Sequence, residues 1–92
     1  MKLSEVIASL SRFDDEDTIY ATEPWTADSD ALVMHEPDAG GVPELAAQKG
    51  MTYVIEVFIA LEFLEGWQAN EKRLLSLEER CARLIYYATY GA

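Results

Sequence analysis

Apolar residues recur with a helical period at the start of this chain. Leu3, Val6, Ile7 and Leu10 stand at i, i+3, i+4 and i+7, which is the spacing of one buried face of an amphipathic helix. Ser4 is the predicted N-cap, because its hydroxyl can accept from an unpaired backbone N–H of the first turn. The first segment therefore predicts an N-terminal helix.

The longest strongly apolar segment lies in the middle of the chain, from Met51 to Ile59. Its periodicity fits a strand or a helix, and its richness in β-branched residues favours the strand. We expect a strand over Thr52–Ile59, followed by a helix over Ala60–Ala69. Strict alternation would put Tyr53 and Ile55 on one face of this strand, and Val54 and Glu56 on the other.

Two shorter strands are predicted upstream, over Thr18–Thr22 and Ala31–Glu36, each followed by a proline that cannot continue a ladder. The loop between them favours an antiparallel hairpin. A short helix should follow over Val42–Gly50, since Pro43 suits a first helical position and Gly50 suits the residue just past the end.

The C-terminal helix has a capping box, Ser76-Leu-Glu-Glu79, in which each side chain satisfies a backbone N–H of the other residue. Glu79 and Arg83 are spaced for an i,i+4 ion pair, and Gly91 should end the helix. The predicted buried stripe comprises Leu77, Cys81, Leu84, Ile85 and Ala88.

These elements predict an α+β fold in a single globular domain, residues 1–92. We expect a small three-stranded, mostly antiparallel sheet packed by the N-terminal, middle and C-terminal helices. Periodicity does not fix the order of the strands. No apolar run reaches the roughly 18–20 residues that cross a bilayer, and the N-terminus does not resemble a signal peptide.

The formal charge of −10 lies in one stretch of the chain. Between Phe13 and Gln48 there are ten acids and no Lys or Arg, whereas the rest of the chain holds seven acids and seven bases. Such a field repels nucleic acid and anionic membranes and attracts basic proteins. It can also serve only as a solubilising surface. The predicted binding residues for a protein partner are Asp14, Asp15, Asp17, Trp25, Asp28 and Asp30.

Trp25 has two interpretations. It lies in a polar loop between acids, where a tryptophan either folds back as a lid on the core or forms an aromatic anchor in an interface. Tyr86, Tyr87 and Tyr90 form a second aromatic cluster. Since the last helix already has five apolar positions for the core, at least one of these tyrosines should point elsewhere, into a homodimer contact.

Catalytic and metal-binding patterns receive little support. His35 and Cys81 are the only residues of their kinds, and Cys81 falls on the apolar face of the last helix. The Asp28-Ser-Asp30 segment begins like a calcium loop, but Leu32 and Val33 occupy positions where a ligand and a glycine are needed. Glu56 could act inside a pocket, although a strand acid usually faces outward. We therefore predict no catalytic residue, metal or cofactor.

Several segments together resemble small, acidic bacterial proteins grouped as a domain of unknown function. The segments are Ile19-Tyr20, Pro24-Trp25, Ala31-Leu32-Val33, Val42-Pro43-Glu44-Leu45-Ala46, Gly50-Met51 with Tyr53, Ser76-Leu77-Glu78-Glu79 and Tyr86-Tyr87. Such families often accompany toxin systems, so the resemblance implies an immunity-like or adaptor role.

The leading hypothesis is a cytoplasmic, non-enzymatic, acidic protein-binding module, such as an inhibitor or immunity protein for a basic partner. The single cysteine agrees with a reducing compartment. One alternative is a small ligand-binding or enzymatic domain with a pocket near Glu56 and His35. The other is a structural homodimer through the C-terminal helix.

Overall fold

The computed structural model describes residues 1–91 and confirms the α+β fold, with a three-stranded sheet and four α-helices. Both strand pairs are antiparallel, and the order is β2-β1-β3, so β1 lies in the centre. The elements in chain order are α1 (Leu3–Ala8), a 3-10 turn (Leu10–Arg12), β1 (Thr18–Thr22), β2 (Ala31–Met34), α2 (Glu44–Gln48), β3 (Met51–Glu56), α3 (Val57–Glu71) and α4 (Leu77–Tyr90).

The predicted hairpin is confirmed, with Thr18 of β1 opposite Met34 of β2. The bounds of β1 are as predicted, whereas β2 ends two residues early, at Met34. The start of β2 is joined by the N-terminal segment, where Lys2 forms an antiparallel bridge with Asp30. Lys2 is also the N-cap of α1. The prediction of Ser4 as the cap was wrong, because the helix begins one residue before it.

A β-bulge in β3 overturns the predicted alternation. Ile19 lies opposite Ile55, but Tyr20 lies opposite Tyr53, so Val54 is an extra residue in the ladder. Val54 and Ile55 are both buried in the same apolar cluster, at 4% and 5% exposure. Since a bulge leaves one residue without its own partner, two consecutive side chains can share the core side.

The strand also ends earlier than predicted. Val57 is the first residue of α3, with Glu56 as the N-cap, so the three residues before Ala60 are helical. The helix continues through Gly66 to Glu71, beyond the predicted end at Ala69. Tertiary packing decides here against the β propensity of Val57 and Ile59, as it often does.

The two faces of the sheet have different coverings. One face packs with α1, α3 and α4 around a large buried cluster that includes Leu3, Ile7, Ile19, Val57 and Leu84. The other face carries a smaller cluster in which Tyr20 packs with Ala46 of α2 and Met51. Residues 1–91 include no helix with both the length and the apolar character to cross a membrane.

Helix α4 has the predicted capping box and ends at Gly91, which has a left-handed φ of 74°. The predicted Glu79–Arg83 pair was wrong. Glu79 binds Arg73 through both guanidinium NH2 groups at 2.6 and 3.0 Å, and Arg83 binds Glu71 at 3.0 Å. Leu77, predicted to be buried, is exposed.

Candidate functional site

The acidic run Asp14–Asp17 forms a tight turn at the start of β1. The backbone N–H of Asp17 donates to the carbonyl of Asp14 at 3.0 Å, and the N–H of Glu16 donates to the Asp14 carboxylate at 2.9 Å. A carboxylate that accepts a bond two residues on is typical of aspartate in turns. The chain therefore reverses here without needing a glycine.

This turn is joined to the beginning of α3. The N–H of Val57 donates to the carbonyl of Asp17 at 2.9 Å, and the N–H of Phe58 donates to the carbonyl of Asp15 at 3.2 Å. The side chain of the N-cap residue Glu56 makes no capping hydrogen bond within the described part of the chain. The turn instead satisfies two N–H groups that a helix leaves unpaired at its start. The position of the turn is thereby fixed by the longest helix.

The N-terminus of α3 also stabilises the charge of the turn. A helix N-terminus acts as roughly half a positive charge, and carboxylates near it are favourable by about 0.3–1 kcal/mol each. The turn carries four carboxylates, of which Asp14, Asp15 and Glu16 are exposed. Half a charge cannot neutralise four, so a negative field remains at this end of the sheet.

Two further acids join this field. Glu56 of β3 lies opposite Thr18, the residue that follows the turn, and Glu36 stands two residues past the end of β2. Both act on the exposed Tyr53: its pKa is raised by burial and then by the charges of Glu56 and Glu36. The acidic end is defined here as Asp14, Asp15, Glu16, Asp17, Glu36 and Glu56.

In the part of the chain that the structure describes, His35 is the one basic side chain that pairs with a carboxylate of the acidic end. Its Nδ1 lies 3.1 Å from Oδ1 of Asp17. That hydrogen bond raises the pKa of His35, and the charges of Asp17, Glu16 and Asp14 raise it further. Among residues 1–91, the acids of this end have no Lys or Arg within salt-bridge distance.

The other predicted residues lie at the opposite end of β1. Trp25, Asp28 and Asp30 belong to the loop that joins β1 to β2. At about 3.3 Å per residue, the length of β1 separates Asp17 from Glu23 by about 20 Å. The structure therefore splits the six predicted residues into two groups of three.

The loop end is better balanced in charge than the acidic end. Lys2 forms an ion pair with Asp28 at 3.5 Å, and Lys49 lines the same cleft as Asp30. Three acids (Glu23, Asp28 and Asp30) thus share their surroundings with two lysines. The unneutralised charge is greater at the acidic end.

Trp25 packs as a lid on the core. It is partly buried against the main apolar cluster, and its indole nitrogen is buried and has no hydrogen-bond partner among residues 1–91. Together with Pro24, Ala88 and Thr89 it lines a cleft of about 380 Å³. The position of Trp25 therefore agrees with the interpretation of this residue as a lid on the core.

Sequence reasoning missed Glu36, Glu56 and Tyr53 as members of the acidic end. The sequence predicts Glu56 as a candidate pocket residue or as an outward-facing strand acid, on the face opposite Tyr53, whereas the bulge turns it to the same side as Tyr53. The predicted hairpin is the feature of the sequence that could have identified part of this end, because antiparallel pairing must bring the end of β2 beside the start of β1.

The alternative pocket near Glu56 and His35 stays a prediction. Among the described residues His35 pairs with Asp17, and the side chains of Glu56 and His35 make no hydrogen bond with each other. Their strands flank β1 on opposite sides, which puts the two backbones about 10 Å apart. Cys81 is buried, and burial raises the pKa of its thiol, which disfavours the nucleophilic thiolate. Within the described part of the chain, no group of three or more His, Cys, Asp or Glu is placed to hold a metal ion.

Comparisons of the chain with protein-family models, with curated proteins and with solved structures give no match. The resemblance to an acidic bacterial family therefore stays a prediction.

Proposed function

We propose that this protein is a non-enzymatic binding module whose acidic end receives a basic segment of a partner protein. The observation that carries the proposal is the charge of that end: six carboxylates are held within one fixed turn and the adjoining strand ends, with one imidazole beside them. The loop end and the α3–α4 pair both mix acids with bases.

The field of such an end favours fast capture of a cationic surface. Complementary charge mainly raises the association rate and selects the partner, and it repels phosphate-rich ligands. The exposed ring of Tyr53 supplies a face for a lysine or arginine side chain, since cation–π contact contributes about 0.5–1 kcal/mol at exposed sites. Arginine is the better fit, because its planar fork can also bind Glu36 or Glu56 with two hydrogen bonds.

A concrete form of this role is an inhibitor or immunity protein that covers the basic surface of a cytoplasmic toxin. Toxins that act on nucleic acid need cationic surfaces to hold their substrate. A rigid acidic turn would compete for that surface without performing any chemistry. The partner is thus expected to be a protein with a Lys- and Arg-rich face.

Two double variants with equal charge change test the proposal. Asp14→Asn with Asp15→Asn removes two charges from the acidic end and keeps the turn, because Asn can accept the bond from Glu16. Asp28→Asn with Asp30→Asn removes two charges from the loop end. Binding of a synthetic arginine-rich peptide is measured by calorimetry at low and at moderate salt.

The first variant should bind roughly 2- to 30-fold more weakly than the native chain, since an exposed charge pair contributes about 0.2–1 kcal/mol. The second should bind nearly as the native chain does, and added salt should reduce the difference. Equal losses in both variants would show only a diffuse attraction to net charge, and the proposal would be lost. Circular dichroism confirms that each variant is folded.

A further inference from the structure

The groove between α3 and α4 is an open surface lined mostly by aromatic rings. It has a volume of about 310 Å³ and is lined by Phe63, Trp67, Ala82, Arg83 and Tyr86. Its one charged side chain is already engaged, because Arg83 lies 3.9 Å above the ring of Trp67 and binds Glu71. The groove therefore presents ring faces with little free charge.

A ridge of exposed tyrosines stands beside this groove. Tyr86 and Tyr90 are 60% and 68% exposed, and their ring centres are 4.7 Å apart. Tyr87 is not part of the ridge, since it stacks on Phe63 at 4.3 Å. Ala82, Tyr86 and Tyr90 are spaced four residues apart, so they form one uncharged stripe on the outer face of α4.

The charge distribution selects the occupant of this surface. Residues 57–91 hold five acids and four bases, a formal charge of −1, whereas residues 1–56 carry the other −9. Two copies of the chain repel each other through their acidic parts. The α3–α4 surface is where two copies can approach with almost no such repulsion, whereas a basic partner would be drawn to the acidic end.

We propose that this surface joins two copies of the chain in a symmetric dimer, with the two α4 helices antiparallel about a twofold axis at Tyr86. Tyr90 of each copy then lies opposite Ala82 of the other, because both residues are four positions, or about 6 Å, from the axis. The small side chain of Ala82 leaves room for the larger ring. Each copy offers both a ridge and a groove, as a symmetric contact requires.

The antiparallel direction follows from the charges on α4. Glu78 continues the stripe one turn before Ala82. In a parallel pair the two Glu78 side chains would face each other, which is destabilising. In the antiparallel pair Glu78 extends past Tyr90, the last residue of the opposite helix, and Arg83 lies opposite Thr89.

Light scattering and substitution test the dimer. The native chain should have the mass of two chains, and Tyr86→Ser with Tyr90→Ser should reduce it to one. Leu74→Ser is the matched control: Leu74 is apolar and 87% exposed, but it precedes α4, so this variant should remain dimeric. A native chain that stays monomeric at its highest soluble concentration would overturn the proposal, as would dissociation of the Leu74 variant.

Cross-linking tests the arrangement without depending on the stability of those variants. Ala82→Cys chains are mixed with Tyr90→Cys chains and treated with a short bismaleimide. The mixture should give a linked pair of one chain of each kind, and Ala82→Cys alone should give little. Linkage of Ala82→Cys to itself would show a parallel contact and refute the arrangement. The buried Cys81 of the native chain serves as the background control.

Discussion

His35 and Asp17 connect the ends of the two hairpin strands across the acidic end. The Nδ1–H of His35, just past β2, donates to the carboxylate of Asp17, just before β1, over 3.1 Å. Asp17 is also the residue whose carbonyl accepts from the first N–H of α3. Asp17 thus connects the hairpin to the first turn of α3. It also binds His35, which is the group of the candidate site that can become positively charged.

This pair should make stability depend on pH near neutrality. Asp17 raises the pKa of His35 in the folded chain, above about 6.5 for the unfolded chain. The pair then stabilises the fold fully below about pH 6.5, and this contribution is lost as pH rises through the raised folded value. Thermal unfolding from about pH 5 to 8 should therefore show a decrease in unfolding temperature that His35→Gln lacks.

His35 is the chain's one histidine, so the difference between the two curves isolates its titration. The expectation fails if the unfolding temperatures of the native chain and of His35→Gln decrease equally over this pH range.

The bulge in β3 gives a second prediction. Val54→Ala and Ile55→Ala should both destabilise the fold, by about 2 and about 2–5 kcal/mol, because both side chains fill the same core. Strict alternation would leave one of the two substitutions nearly neutral. Urea unfolding measures both free energies of unfolding. Glu56→Ala is the control: because Glu56 is on the other face of the strand, this substitution should change the free energy of unfolding by less than about 0.5 kcal/mol.

The elements set by local chemistry were predictable from sequence. The strand Thr18–Thr22 and the cap at Ser76 depend on residues within a few positions of each other, and both are confirmed. The bulge at Val54 was not predictable, because the partner strand determines which residue is left out of the ladder. The shortened β2 has a similar cause, since pairing with β1 stops at Met34.

The candidate site was predictable only in part. The run Asp14–Asp17 was visible as charge, but its attachment to α3 requires the fold. Trp25 and Asp30 belong to the same acidic stretch of sequence, yet β1 places them at the other end of the sheet. A contiguous stretch of sequence is not a contiguous surface once a central strand runs through it.

Glu79 gives a third prediction, in the acid range. Its pKa is lowered to about 2 by Arg73, and then by the backbone N–H of Ser76. A depressed pKa adds stability above the unfolded value of about 4.3, and that stability is lost as pH falls toward 2. Glu79→Gln should therefore unfold at a lower temperature than the native chain at pH 7, and the two should converge toward pH 2.

The neighbouring Glu78 is the control for this experiment. It is exposed and lies in the same first turn of α4, but it has no ion pair among the described residues. Glu78→Gln should therefore lose only the favourable interaction with the helix N-terminus and lower the unfolding temperature less than Glu79→Gln does. If Glu78→Gln and Glu79→Gln behave alike, the ion pair with Arg73 is not what stabilises the start of α4. Ser76→Ala removes the other half of the capping box and should cost about 1 kcal/mol at any pH.

Arg83 gives the fourth prediction, because it joins α3 to α4 in two ways. It binds Glu71 at 3.0 Å and lies over the ring of Trp67. Arg83→Lys keeps the charge but loses the planar group that stacks on the ring, so it should destabilise the fold by about 0.5–1 kcal/mol. It should also expose Trp67 to a neutral fluorescence quencher, since the guanidinium no longer covers it.

Arg12→Lys is the matched control, because Arg12 is exposed on the 3-10 turn and has no ion pair among the described residues. It should change neither the unfolding free energy nor the quenching. Because Trp25 is only partly buried and lines an open cleft, both variants are made in a Trp25→Phe background, so that the quenching reports on Trp67. An unchanged quenching constant in Arg83→Lys would mean that the charge of residue 83 alone, through Glu71, holds the two helices together at this point.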